Sequence, residues 1–185
     1  QPVRLPLEVR KHDMLGFFPG STLGNLTPRT AVDLLRSMRG TLGDRSHLLI
    51  GVDRVKDIGR LIAAYDDSRG VTARFNLNLL ERINRELAGN VPVDRFRHVV
   101  RWNEAWYRIE MHLEATAAVS FEISGRHVSM RKGETIHTEN SHKYTPDQVR
   151  LLLQAGGWSP IVQWTDAREN FLVMLAAASE YRSAP

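Results

Sequence analysis

The residues with the most chemistry to offer lie in TIHTENSHKY, Thr135 to Tyr144. At the two-residue period of a strand, Thr135, His137, Glu139 and Ser141 share one face. A carboxylate and a hydroxyl then stand side by side, a pair able to hold a ring that presents two nitrogens. The same alternation also describes an exposed edge strand with its polar side chains turned to water. His137 and His142, with His127 nearby, raise the question of a metal. Their spacing of five sends the first two to opposite faces of a strand, so no metal site is expected. Nucleophilic catalysis finds little support, because the chain has no cysteine and no GxSxG turn.

A second stretch, FFPGSTLGN from Phe17 to Asn25, has the composition of a turn that brings backbone close to something. An aromatic pair able to end a strand runs into Pro, two Gly, two hydroxyls and an amide, then into a helix start at Thr27-Pro28.

The elements around these stretches follow from periodicity. Ala31, Leu34, Leu35 and Met38 recur at helical spacing before Gly40 and Gly43. LLIGVD, Leu48 to Asp53, predicts a buried parallel strand with a carboxylate at its end. Ile58, Leu61, Ile62 and Tyr65 repeat the helical pattern, and Thr72 opens another helix carrying Phe75, Leu79, Leu80, Ile83 and Leu87. Alternation of strand and helix over residues 15 to 90 is the signature of an α/β, doubly wound sheet. From His98 to Tyr144 the period falls to two. Tyr107, Ile109, Met111 and Leu113 face one way, and Arg108, Glu110, His112 and Glu114 the other. With Ser124-Gly125 as a turn, this predicts an antiparallel meander. Thr145, Pro146 and Gln148 predict a capping box, and strands near Ile161 to Trp164 and Phe171 to Ala176 would finish the sheet.

Composition bounds the rest. With 185 residues, 42% of them hydrophobic, the chain can bury a substantial core. A formal charge of +4 and a pI of 9.8 would permit nucleic acid, but 21 acidic residues are interleaved with the basic ones. The densest basic stretch, RHVSMRKGE, lacks repeated aromatics, so no nucleic-acid partner is expected. No apolar run approaches a membrane span, which makes the soluble cytoplasm the default expectation. Tyr65, at the end of an apolar stripe, suits a core position as well as a ligand contact, and Trp102, Trp106, Trp158 and Trp164 suit core or pocket wall. There is no GxGxxG, GxGxG or P-loop lysine, and the chain opens in a short apolar and basic segment. The expectation is a chain that begins within a domain.

Taken in series, FFPGSTLGN, LLIGVDRVKD, AAYDDSRGVTARFNLNLLERINREL, RIEMHL and TENSHKY closely resemble the histidine-specific, S-adenosylmethionine-dependent methyltransferases, which include an enzyme of ergothioneine biosynthesis. The resemblance runs from about Leu15 to Met174 in the same order and with similar spacing. It implies the C-terminal part of a class I, Rossmann-like methyltransferase sheet, with the meander as a substrate-binding subdomain. The expected segments are 1–95 for the partial core, 96–144 for the subdomain, and 145–185 for a helix and strands returning to the core.

The resemblance also implies roles. The loop after the first strand would approach the substrate amino acid beside the methyl donor. Asn25, the expected catalytic residue, would hold the amino group, and Gly20 would line the pocket through its backbone. Tyr65 would contact the carboxylate, Phe75 would form a wall, and Met111 would lie beneath the side chain. Glu139 and Ser141 would bind the imidazole, in keeping with their shared strand face. S-adenosylmethionine would be the cosubstrate and L-histidine the partner, methylated on its α-amino group toward hercynine. The family's glycine-rich cofactor turn and ribose-binding acid have no counterpart here, so the cofactor contacts are unknown and the chain alone is expected to be inactive. Two other readings stay open: methylation of another amine, such as a tryptophan derivative, and a non-catalytic binding module.

Overall fold

In the computed structural model, the described residues are Leu5, Pro6, Glu8, Val9 and 12–179. The outermost ends of the expected first and last segments, 1–4 and 180–185, lie outside them. In chain order the elements begin with β1 (Met14–Phe18), α1 (Pro28–Leu42), β2 (Ser46–Asp53), α2 (Ile58–Tyr65) and α3 (Val71–Glu86). The strands β3 (Phe96–Asn103), β4 (Arg108–Ala115), β5 (Val119–Ile123), β6 (Arg126–Met130) and β7 (Thr135–His142) follow. Last come α4 (Pro146–Ala155), β8 (Trp158–Thr165) and β9 (Phe171–Ala178).

The chain forms two compact units, residues 1–55 with 142–185, and residues 56–141. This corrects the expected boundary near residue 95. Helices α2 and α3 belong with the strands that follow them, because the apolar side of α3 shares a core with β3, β4 and β5. Residues 142–185 group with 1–55 in one unit.

The first unit is a four-stranded mixed sheet in the order β1-β2-β9-β8. β1 and β2 run parallel, while β9 is antiparallel to both β2 and β8. The run LLIGVD buries as expected: Leu48, Ile50 and Val52 meet Leu172, Met174 and Ala176 of β9, together with Ala31 and Leu35 of α1 and Val149 and Leu153 of α4. Trp158 is fully buried there and its indole N–H donates to the Leu35 carbonyl at 2.9 Å. A doubly wound sheet carries helices on both faces, whereas in this unit α1 and α4 share the one core. Leu15 and Phe17 on β1 are 59% and 68% exposed. Both helices start as their sequences require, α1 with the Thr27 side chain accepting from the Thr30 N–H, and α4 with a complete Thr145/Gln148 capping box.

The second unit contains a three-stranded sheet, β3-β4-β7, and a separate β5–β6 hairpin. The predicted single meander is therefore corrected. Strand β4 already has β3 on one edge and β7 on the other, which leaves no edge for β5. Ser124 and Gly125, at φ 50° and 74°, make the two-residue hairpin turn. Leu80, Phe96, Leu113, Ala115, Val119 and Phe121 form the core, with Phe96 and Phe121 edge to face at 6.2 Å. The apolar stripe assigned to α3 is only half buried. Leu80 is inside, while Phe75 and Leu79 are 67% and 38% exposed and Asn76 is buried in their stead.

Candidate active site

In the first unit, the loop Pro19–Asn25 leaves β1 and enters a 3-10 turn, Thr22–Asn25. Gly20 and Ser21 are both left-handed, at φ 80° and 61°, which turns the chain back over the end of β2. There the Ser21 N–H donates to the Gly51 carbonyl at 3.1 Å, and the Ser21 hydroxyl accepts the Asp53 N–H at 2.8 Å. The close approach expected of this turn is real at Gly24, where a Cβ would stand 2.8 Å from the His142 carbonyl oxygen. In return the His142 Nδ1–H donates to the Gly24 carbonyl at 2.9 Å, since a carbonyl can only accept. Lys143, fully buried, pairs with Asp53 at 3.0 Å. Asn25 is exposed at the end of this fastened turn, and Gly20 is exposed at its start. Lys143 was given no role from sequence and His142 was weighed only as a metal ligand; the signal available was the HK pair closing an otherwise strand-like segment.

The second unit holds the other predicted residues. The Tyr65 phenol, on the last residue of α2, lies 2.7 Å from the Ser141 hydroxyl on β7. Ser141 is buried, so the reading of this strand face as polar groups turned to water does not hold at Ser141. Glu139, on the same face two residues earlier, is half-buried, and that burial pushes its carboxyl pKa upward. Met111 is buried on the central strand β4, and its carbonyl accepts from the Thr138 hydroxyl of β7 at 2.9 Å. Phe75 stands apart in character, on the exposed side of α3. The structure thus brings Tyr65 and Ser141 into contact within this unit, while Gly20 and Asn25 belong to the other.

Histidine clustering differs from the spacing argument. His137 joins neither His127 nor His142 but gathers with Glu110 and His112, their candidate ligand atoms lying within 4.8 Å of one another. The His112 and His137 rings stack at 4.6 Å. Glu110 is already committed: one carboxylate oxygen accepts from Arg108 at 2.6 and 2.8 Å and from Asn103 at 2.9 Å. The guanidinium supplies the positive charge that a metal ion would bring. Burial would raise the Glu110 carboxyl, but the hydrogen bonds from Arg108, Asn103 and His112 hold it down at about 2. Burial also lowers the His112 pKa, against the opposing hydrogen bond to Glu110.

Among the described residues, no helix is long and apolar enough to cross a membrane.

The class of protein these features define is confirmed by comparison. The chain belongs to the methyltransferase family described as "Histidine-specific methyltransferase, SAM-dependent", which it matches over residues 3–178. It is 44% identical over 162 residues to the histidine N-alpha-methyltransferase of Mycobacterium tuberculosis, covering 86% of this chain and 50% of that protein. Against the histidine N-alpha-methyltransferase of Mycolicibacterium smegmatis it is 42% identical over 161 residues, with the same two coverages, 86% and 50%. It is 29% identical over 159 residues to the ergothioneine biosynthesis protein 1 of Neurospora crassa, covering 85% of this chain and 18% of that protein. The chain spans about half the length of the two bacterial curated relatives it matches.

Proposed function

We propose that the protein methylates the α-amino group of L-histidine, carrying it to the trimethylated betaine, and that this chain supplies the residues that read the amino acid. The observation that carries the reading is the buried Ser141 hydroxyl, 2.7 Å from the Tyr65 phenol and on the same strand face as half-buried Glu139. In this reading the ionised Glu139 carboxylate accepts one imidazole N–H and Ser141 serves the other ring nitrogen. A site that presents a half-buried carboxylate to the ring rejects apolar side chains, which would desolvate that carboxylate without returning a hydrogen bond. Tyr65 meets the substrate carboxylate, Met111 underlies the ring, and Phe75 forms a wall.

S-adenosylmethionine, when bound, supplies an electrophilic methyl group on a sulfonium. Neither β1 nor β2 is followed by a GxGxxG or GxGxG turn, and no cofactor contact is assigned here. What Asn25 contributes is alignment. Its amide orients the neutral amine without adding a negative charge that would favour the ammonium form. Gly20, by its left-handed backbone, sets the path of the loop that carries Asn25.

The test is a mass-spectrometric assay of the full-length gene product with S-adenosylmethionine and a mixture of free amino acids. Methyl groups appearing on histidine alone are the expected result. Methylation of a different amine, with histidine untouched, would overturn the substrate assignment; no methylation of any amino acid would favour a binding module.

A further inference from the structure

A chain of hydrogen bonds, buried at Asn76, links α3, β3, β4 and the end of α2, and its directions follow from chemistry alone. The Asn76 side chain on α3 lies 3.2 Å from the carbonyl of His112 on β4. A carbonyl only accepts, so the amide nitrogen of Asn76 must be the atom that points there. That same nitrogen lies 2.9 Å from His98 Nδ1 on β3. As a donor to both, it requires a bare lone pair on Nδ1, and the ring proton is left on Nε2. His98 Nε2 in turn lies 2.9 Å from the carbonyl of Tyr65. Tyr65 is the last residue of α2, where a carbonyl has lost its intrahelical partner. The imidazole N–H caps it.

We infer that His98, held by Asn76 as the neutral Nε2–H tautomer, is a positioning residue for Tyr65. Its cap fixes the backbone from which the Tyr65 phenol reaches Ser141, and Asn76 ties the same ring to the β4 backbone next to Met111. Neither residue touches the substrate; both act through Tyr65. Histidine is well matched to this place, because a planar ring can accept at one nitrogen while donating at the other, and a proton on Nδ1 would set donor against donor. The inference rests on the substrate role assigned to Tyr65 under Proposed function.

Two measurements on the full-length gene product test it separately. Long-range proton–nitrogen correlation spectra, with His98 assigned by the peaks lost in His98→Gln, should show one protonated ring nitrogen, Nε2, and one bare acceptor. The isosteric Asn76→Asp, which puts an acceptor against Nδ1, should abolish that signature. A wild-type ring protonated on Nδ1, or exchanging between tautomers, overturns the lock. In steady-state kinetics, His98→Phe should raise KM for histidine about five- to tenfold, the loss of roughly one hydrogen bond. Turnover number and KM for S-adenosylmethionine should hold within about twofold. His98→Gln, whose amide can still donate to the Tyr65 carbonyl, should recover most of the loss. Combined with Tyr65→Phe, His98→Phe should add little, since both act through one side chain. If Tyr65→Phe raises KM for histidine and the His98 variants do not, positioning is overturned while the proposed function stands. If Tyr65→Phe itself leaves KM unmoved, the substrate role of Tyr65 falls and takes this inference with it.

Discussion

The two units bury polar groups for different ends. In the unit of β1, β2, β8 and β9, buried side chains fasten backbone: His142 holds the Gly24 carbonyl, Ser46 the Gly43 carbonyl, and Arg39 the Ser179 carbonyl. These three bonds end on main-chain atoms and shape turns, beside the side-chain pairs Lys143–Asp53 and Arg39–Asp44. In the unit of residues 56–141, buried and half-buried side chains answer one another: Tyr65 with Ser141, Asn76 with His98, and Glu110 with both Arg108 and His112. Bonds of the first kind set where a loop runs. Those of the second kind set the direction and protonation of side chains, which is what reading a polar substrate requires.

That contrast can be broken in order of effect. Glu139→Ala should cost histidine turnover about a hundredfold or more, the loss of a half-buried charged partner, with S-adenosylmethionine binding little changed. Equal losses in both would place Glu139 outside substrate recognition. Gly24→Ala should cost about 2 kcal/mol, a fall of roughly 4–8 °C in Tm, because the new methyl meets the His142 carbonyl, and backbone yields less readily than a side-chain end. An unchanged melting curve would show that the turn does not pack as described.

Glu110→Gln probes the side-chain network through pH. The Glu110 carboxyl is held at about 2, below its ordinary value of 4.5, so its stabilisation is present at neutral pH and is lost as pH falls from about 4.5 toward 2. The variant should be weaker than the parent at pH 7 by on the order of 2 kcal/mol, and the gap should close toward the acid end of that window. Urea titrations at a series of pH values check this, and a pH-independent gap would assign the effect to packing. Smallest is Gly20→Ala. The added methyl meets nothing within 4 Å, yet φ is +80°, so only the left-handed cost of about 1 kcal/mol is expected. A much larger loss would mean that the loop is more tightly enclosed than its exposure indicates.

Much of this molecule was legible in short windows. Thr27-Pro28, the Thr145/Gln148 box, the apolar run of β2, the alternation of β4 and the Ser124-Gly125 turn each specify structure through neighbours a few residues away. The shared face of Glu139 and Ser141 was legible for the same reason, since the strand period is local. Asn76 was missed because an amide within an apolar stripe gives no sign of whether it faces in or out; its partners, His98 and the His112 carbonyl, lie 22 and 36 residues away. The grouping of His137 with Glu110 and His112 was not legible, because strand neighbours across a sheet are invisible to spacing along one strand.

The sequence by itself determined the α/β elements, their caps and turns, and the candidate recognition face of β7, all of which rest on local backbone preference and side-chain period. Only the tertiary structure decided that β4 takes β7 rather than β5 as its second neighbour, that α2 and α3 join the second unit, and that Tyr65 meets Ser141 across 76 residues. Those outcomes depend on which edges and apolar faces remain unfilled once the chain is assembled, a competition among distant segments that no short window records.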